Sequence, residues 1–205
     1  LNYLLGLSFL AKYTDLRELK SVVEIGGGFG TLGEILSQTH QDDRFCYVDL
    51  DIPPTCLFAE YYLKHACPAH FAGSVSDYLE GDTPINIESL SSLSVLPNWA
   101  IERLSGHVDL FVNFISFQEM EPHVVQNYLE HVARLAPKWI LLRNLREGKQ
   151  QRSQSNPVGV DTPVLSTFYA QALPQYECVG SDADVFGFTT SDNFHSELLA
   201  FKITS

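Results

Sequence analysis

Two short segments of the chain combine glycines and acids in a spacing that suits nucleotide binding. Residues 22–33 read VVEIGGGFGTLG, and residues 45–54 read FCYVDLDIPP. In an α/β domain, glycines after a strand let backbone N–H groups approach a ligand at the start of a helix. A carboxylate at the end of the next strand can accept hydrogen bonds from both ribose hydroxyls. The sequence therefore predicts a nucleotide site at these two segments.

Two overlapping patterns in the glycine segment predict different nucleotides. Glu24, Gly26, Gly28 and Gly30 form E-x-G-x-G-x-G, which is typical of Rossmann-like methyltransferases that bind S-adenosylmethionine. Gly28, Gly30 and Gly33 also form G-x-G-x-x-G, the dinucleotide fingerprint of an NAD-dependent oxidoreductase. We favour the first pattern because Gly26 ends the predicted strand, so the fingerprint would begin two residues late. Glu24 also suits a cationic amino-acid tail and would repel a pyrophosphate.

The acids of the second segment offer two candidate ligands for the ribose. Asp49 and Asp51 have the same strand parity, so both remain candidates. Asp51 is favoured because it lies at the carboxyl end of the strand, immediately before Ile52. Asp49 is then expected to have a structural role next to the residues that bind the ribose.

Apolar periodicity predicts alternating strands and helices, which is typical of an α/β fold with a doubly wound parallel sheet. A single domain is expected over residues 1–205. Because the first residue is Leu1 rather than methionine, we expect an N-terminal segment to precede it. Strands are predicted over residues 22–25, 45–50, 85–90, 107–117, 139–142, 176–181 and 197–203. Helices are predicted over residues 1–13, 31–37, 99–104, 124–135 and 164–173, with one more starting at Pro53-Pro54.

Three motifs together resemble the sugar O-methyltransferases, a bacterial group within the class I methyltransferase superfamily. They are VVEIGGGFG, the segment DIPP with its following aromatic helix ending in YYL, and FVNFISFQEM. The resemblance runs over residues 1–144 and implies a Rossmann-like, seven-stranded, mostly parallel sheet whose last strand is antiparallel. It also implies S-adenosylmethionine as cofactor and a sugar hydroxyl as methyl acceptor. By position, it implies a cofactor role for Glu24, Gly26, Gly28, Gly30 and Asp51.

Methyl transfer to an alcohol is an in-line displacement that needs a group to accept the hydroxyl proton. The segment SFQEMEPH (116–123) follows a strongly apolar strand and supplies two candidate bases, Glu119 and His123. Gln118 is a candidate for holding an acceptor hydroxyl or the carboxylate of the cofactor. Glu121 is better explained as a partner of a helix dipole. A third function remains open, a non-catalytic methyltransferase-like binding protein.

Charge and cysteine content narrow the remaining functions. The chain has 205 residues, a net charge of −12, and 13 Lys and Arg against 25 Asp and Glu. This balance disfavours nucleic acid as a partner, and no apolar run is long enough to cross a membrane. The four cysteines lack zinc-site spacing, and neither a disulfide framework nor a metal site is expected. We therefore expect a cytoplasmic protein, with a solvated basic loop formed by Arg143, Arg146, Lys149 and Arg152. The alternative for Arg143, together with Asn144 at the end of the fifth predicted strand, is binding of the acceptor.

Overall fold

The computed structural model describes residues 1–40, 45–187 and 189–204. Contacts divide the chain into two compact units, Arg17–Val112 and Leu1–Leu16 with Asn113–Ser205. The strands are β1 (Ser21–Ile25), β2 (Cys46–Asp51), β3 (Ile85–Asn86), β4 (Leu93–Pro97), β5 (Leu104–Ser105), β6 (Leu110–Phe114), β7 (Trp139–Leu145), β8 (Tyr176–Asp182) and β9 (Ser196–Ile203). The helices are α1 (Asn2–Leu10), α2 (Thr31–Thr39), α3 (Thr55–Ala66), α4 (Pro122–Leu135) and α5 (Ser166–Ala172).

Seven strands form one sheet in the order β4-β2-β1-β6-β7-β9-β8. The pairs β1–β2, β2–β4 and β1–β6 are parallel. The last strand, β9, lies between β7 and β8 and runs antiparallel to both. The predicted fold class, a mostly parallel α/β sheet with an antiparallel last strand, is confirmed.

In the Arg17–Val112 unit, the glycine segment connects a buried strand to a helix. Four of the five residues of β1 are buried, as the β-branched run predicts. The helix α2 begins directly after Gly30 and buries Leu32 and Leu36 on one face. The strand β2 ends at Asp51, and α3 starts right after the two prolines. The glycine loop and the acidic strand end therefore have the predicted positions in the chain.

In the second unit, α4 shows why helical spacing was a reliable signal. Its buried side chains recur at three- and four-residue intervals, which places them on one face of the helix. The helix ends at Leu135, and its C-cap residue Ala136 adopts a left-handed conformation with φ of 47°. The buried residues of this face are Val125, Tyr128, Leu129, Val132 and Leu135.

One predicted strand holds for only two of its six residues, and two strands, β4 and β5, were not predicted. Residues 85–88 alternate apolar and polar side chains, but of the predicted strand over residues 85–90 only Ile85–Asn86 is extended. The Asn86 side chain accepts a hydrogen bond from the N–H of Glu88 and starts a 3-10 turn over Ile87–Ser89. The strand that joins the main sheet is Leu93–Pro97, which contains Ser94 and follows Ser91 and Ser92, so that its start resembles a loop in sequence. The predicted helix over residues 99–104 is a 3-10 helix, Asn98–Arg103.

Within the described residues, no helix is both long and apolar enough to cross a membrane.

Candidate functional site

The glycine loop after β1 has a backbone that side chains would strain. Gly26, Gly28 and Gly30 have φ of 77°, 65° and 75°, a region that L-residues rarely adopt. A Cβ atom added at Gly28 would meet no atom within 4 Å, so this part of the loop is open on one side. A ligand can therefore approach the backbone at Gly28.

Asp51 contacts this loop from the end of β2. Its Oδ2 accepts a hydrogen bond from the Gly28 N–H at 2.9 Å, and its Oδ1 accepts one from the Ile52 N–H at 2.7 Å. Partial burial raises the pKa of this carboxyl, while the two N–H groups act in the opposite direction. Each carboxylate oxygen can accept more than one hydrogen bond, so Asp51 retains acceptor capacity for hydroxyl donors.

Asp49 lies behind the loop and is fully buried. Its Oδ1 accepts a hydrogen bond from the Gly27 N–H at 3.1 Å, but its Oδ2 has no hydrogen-bond partner in the described part of the chain. Burial is the main cause that raises the pKa of Asp49 well above its usual range, followed by the charges of Glu24 and Asp51. Asp49 therefore lies behind the loop, and its role toward a cofactor stays a prediction.

Glu24 is also fully buried and lies opposite Asp49 in the register of β1 and β2. Its Oε2 accepts a hydrogen bond from the Tyr47 hydroxyl at 2.5 Å. Glu24 pairs with Asp49 in the register, and Asp51 lies two residues after Asp49 on the same face of β2. The three carboxyl groups therefore lie on one face of the sheet. Sequence reasoning missed Tyr47, although its parity with Asp49 placed it on this face.

Gly33 has a packing role inside α2. A Cβ atom at this position would lie 2.6 Å from ring carbons of Tyr47, so glycine lets α2 approach β2 closely. Such packing is compatible with both glycine patterns. The packing of Gly33 therefore does not distinguish between the two nucleotides.

Gln118 lies in the second unit, in the 3-10 helix Phe117–Glu119. Its backbone N–H donates to Asn144 Oδ1 at 3.1 Å, and its side-chain Oε1 accepts a hydrogen bond from the Leu145 N–H at 2.8 Å. Asn144 Nδ2 in turn donates to Asn113 Oδ1 at 3.1 Å. These three buried amide side chains connect the end of β6 to β7. The sequence analysis did not identify Asn113, because it lies within a strongly apolar strand.

The structure does not bring the two candidate bases into contact. Glu119 forms an ion pair with Lys149 and accepts a hydrogen bond from Gln118 Nε2 at 3.4 Å. His123 is exposed in the first turn of α4. No hydrogen bond joins Glu119 to His123 among the described residues. Both side chains belong to the second unit and reach solvent.

Glu121 binds a loop, in addition to preceding α4 as its N-cap residue. Its two carboxylate oxygens accept hydrogen bonds from the Asp161 and Thr162 N–H groups, at 2.8 and 3.0 Å. The hydrogen bond from Asp161 is the main cause that lowers the pKa of Glu121. Glu121 therefore attaches the segment after β7 to the start of α4.

Of the two alternatives for Arg143, the solvated position is wrong. This residue lies inside β7 with 5% of its surface exposed. The other three basic side chains each pair with an acid: Arg146 with Glu197, Lys149 with Glu119, and Arg152 with Asp161. The four residues therefore do not form one basic surface. Within the described ranges, no cluster of His, Cys, Asp and Glu could hold a metal ion.

No family model matches the chain, and no curated protein matches it. Solved structures do match its fold. Magnesium protoporphyrin IX methyltransferase from Synechocystis PCC 6803 with bound SAM (S-adenosylmethionine) is 11% identical, with a TM-score of 0.60 over 99% of this chain and 77% of that chain. The PH0226 protein from Pyrococcus horikoshii OT3 is 14% identical, with a TM-score of 0.63 over 99% of this chain and 90% of that chain.

A third similar structure is mitomycin 7-O-methyltransferase MmcR, which is 14% identical with a TM-score of 0.62. The match covers 99% of this chain and 54% of that chain, so this chain spans about half the length of MmcR. At these identities the similarity establishes the fold, and the chain shares it with structures of methyltransferases.

Proposed function

We propose that the chain is an S-adenosylmethionine-dependent O-methyltransferase that acts on a sugar or another small molecule. The observation that carries the proposal is the row of three carboxyl groups under an open glycine loop. Asp49 has a buried oxygen without a partner among the described residues, next to the charges of Glu24 and Asp51. A cationic ligand above this row lowers the electrostatic repulsion among the three carboxyl groups, whereas a pyrophosphate adds further repulsion.

The loop residues fit the nucleoside part of this cofactor. Asp51 is placed to accept hydrogen bonds from the ribose hydroxyls, and Gly28 leaves room for the ligand beside the backbone. Phe29 and Ile52 follow these residues directly and expose 63% and 55% of their surface. We propose that these two apolar side chains contact the adenine ring. Gly26 and Gly30 shape the loop, and Glu24 holds Tyr47 while contributing negative potential.

When bound, S-adenosylmethionine supplies a methyl group activated by its sulfonium. The remaining requirement is a group that accepts the proton of the acceptor hydroxyl. We propose Glu119 or His123 for this role, since both are accessible to solvent. In the same proposal, Gln118 orients a ligand through its Nε2 donor, because its Oε1 already binds the Leu145 N–H.

The acceptor class rests on the motifs that resemble sugar O-methyltransferases. The structures of similar fold include enzymes named for a protoporphyrin and for mitomycin, so the fold accommodates different acceptors. We also propose a cytoplasmic location, because Cys46, Cys56, Cys67 and Cys178 are all unpaired thiols.

Methyl transfer can be tested with S-adenosylmethionine labelled in its methyl group and a panel of monosaccharides, glycosides and phenols. The proposal predicts label transfer to a saccharide hydroxyl, with a loss of at least tenfold in rate in either Glu119→Gln or His123→Asn. His131→Asn serves as the control because His131 lies further along α4. Cofactor binding without transfer to any acceptor would support the non-catalytic alternative, and binding of NAD instead would support the oxidoreductase.

A further inference from the structure

The helix α3 carries large apolar side chains on its outer side. A surface helix usually turns such side chains toward the core. In α3, however, the buried residues are Cys56, Ala59 and Leu63, two of which are small. Residues three or four positions apart are neighbours on a helix, which joins the exposed apolar side chains into one surface. This surface, the α3 face, consists of Leu57, Phe58, Tyr61 and Tyr62, which are between 37% and 68% exposed.

Charged groups border the α3 face and are themselves paired. Along one edge, Lys64 forms an ion pair with Glu60, one turn before it in the same helix. Along the other edge, the Tyr62 hydroxyl donates to Glu34 Oε2 at 2.7 Å. An apolar centre inside a polar rim is the usual anatomy of a protein interface. The α3 face has this arrangement within the Arg17–Val112 unit.

Tyr61 is the most exposed residue of the α3 face. Part of its ring contacts the His65 imidazole, with 4.3 Å between the ring centres. The residue nevertheless leaves 68% of its surface exposed, so a partner can pack against it. Large aromatic side chains commonly dominate the binding energy of an interface. Association through this face is therefore expected to depend most strongly on Tyr61.

We propose that the α3 face binds the same face of a second copy of this chain. From the areas that side chains of this size present, the four exposed side chains offer roughly 500 Å² per copy. Two copies bury about 1,000 Å² in total, which reaches the lower limit for a specific interface. A face that pairs with itself forms a closed dimer with two-fold symmetry, the commonest assembly of identical chains. The pairing is independent of the proposed methyl transfer.

Charge favours a second copy over a charged partner. Glu60 and Lys64 offset each other, so α3 has no formal net charge that selects an oppositely charged surface. The whole chain carries a net charge of −12, which opposes binding to nucleic acid or to an anionic membrane. Two copies also repel each other, but salt screens this repulsion, whereas the apolar contact persists. The dimer should therefore become tighter as the salt concentration rises.

Sedimentation equilibrium of the full chain between roughly 1 and 100 μM measures the dimer dissociation constant. A reversible monomer–dimer equilibrium is expected, with a smaller constant at about 0.3 M than at about 0.05 M sodium chloride. Tyr61→Glu should raise the constant by about tenfold or more, because it places an acid in the apolar contact. Phe58→Ser is a second variant that adds no charge and should also weaken the dimer. Val158→Glu is the matched control, since it adds the same charge at a residue that is 75% exposed and lies outside α3.

The proposal is overturned if the wild-type chain stays monomeric up to about 100 μM, or if a dimer forms that neither variant weakens. An equal loss in Val158→Glu and Tyr61→Glu also overturns it, because added charge alone then explains the effect. A dimer that weakens as salt is added has the same consequence. Binding of a monomeric chain to phosphatidylcholine vesicles would assign the α3 face to a lipid surface and overturn the proposal. Circular dichroism checks that each variant is folded, as expected for exposed positions.

Discussion

Asp49 and Gly27 are in contact across the floor of the glycine loop. The Gly27 N–H donates to Asp49 Oδ1, and a Cβ atom at Gly27 would lie 2.5 Å from that same oxygen. The carboxylate therefore positions the loop and at the same time excludes any side chain from Gly27. This contact links the acid row on the sheet to the backbone that we propose binds the cofactor.

Gly27→Ala should destabilise the fold by roughly 1–3 kcal/mol, because its new methyl group overlaps the buried Asp49 carboxyl. Gly28→Ala is the matched control: its methyl group has open space, and the cost is the left-handed backbone, about 1 kcal/mol. Urea unfolding followed by circular dichroism measures both. Equal stability of Gly27→Ala and wild type would contradict the described contact.

Asp49→Asn should make the protein more stable at neutral pH. The folded pKa of Asp49 lies above its usual 3.8, so the folded state holds the proton more tightly and loses stability as pH rises through that folded pKa. The amide keeps the acceptor for Gly27 but carries no charge beside Glu24 and Asp51. A gain of more than about 1 kcal/mol at pH 8, and little change at pH 4, is expected.

Unfolding measured between pH 4 and 8 tests this expectation. Asp82→Asn, an exposed acid of the same unit, should leave the pH dependence unchanged. A parallel pH dependence in Asp49→Asn and wild type would show that Asp49 does not hold the proton.

Gln118→Met should cost roughly 1–3 kcal/mol, because it leaves the buried Leu145 N–H without its acceptor. The corresponding change on the surface of α4, Gln126→Met, should stay within about 0.5 kcal/mol. Thermal or urea unfolding of both variants gives the comparison. If both variants lose the same stability, the buried amide side chains at the end of β6 do not contribute the expected free energy of folding.

Glu121→Gln should loosen the segment that Glu121 attaches to α4. Hydrogen–deuterium exchange at the Asp161 and Thr162 amides should accelerate several-fold, since both N–H groups donate to this carboxylate. In wild type the same protection should fall as the solution is acidified, because the depressed folded pKa means that the contact is lost on protonation. Glu130→Gln on the same helix is the control, and unchanged exchange in Glu121→Gln would rule out the attachment.

The sequence predicted what depends on local pattern. Glycines after a β-branched run, acids at the next strand end and the apolar face of α4 each follow from residue spacing alone. The contacts that decide the chemistry are non-local: Tyr47 with Glu24, Asp49 with Gly27, and the acids of β1 and β2 in register.

Failures of prediction also have physical causes. Residues 85–88 alternate like a strand, but Asn86 starts a turn through its own side chain, and the strand of the main sheet lies further on at Leu93–Pro97. The sequence leaves a solvated position open for Arg143, because charged residues are mostly exposed. The apolar run before it, residues 139–142, is typical of a strand buried on both faces, but the predicted strand ends there, whereas β7 continues to Leu145.

The central claim is that Asp51 and the glycine loop bind S-adenosylmethionine. Calorimetric titration of S-adenosylhomocysteine into the wild-type chain, Asp51→Asn and the control Asp82→Asn tests it most directly. We expect roughly micromolar affinity for wild type and Asp82→Asn, and a loss of at least tenfold in Asp51→Asn. Unchanged affinity in Asp51→Asn, or no binding to the wild-type chain, would contradict the claim.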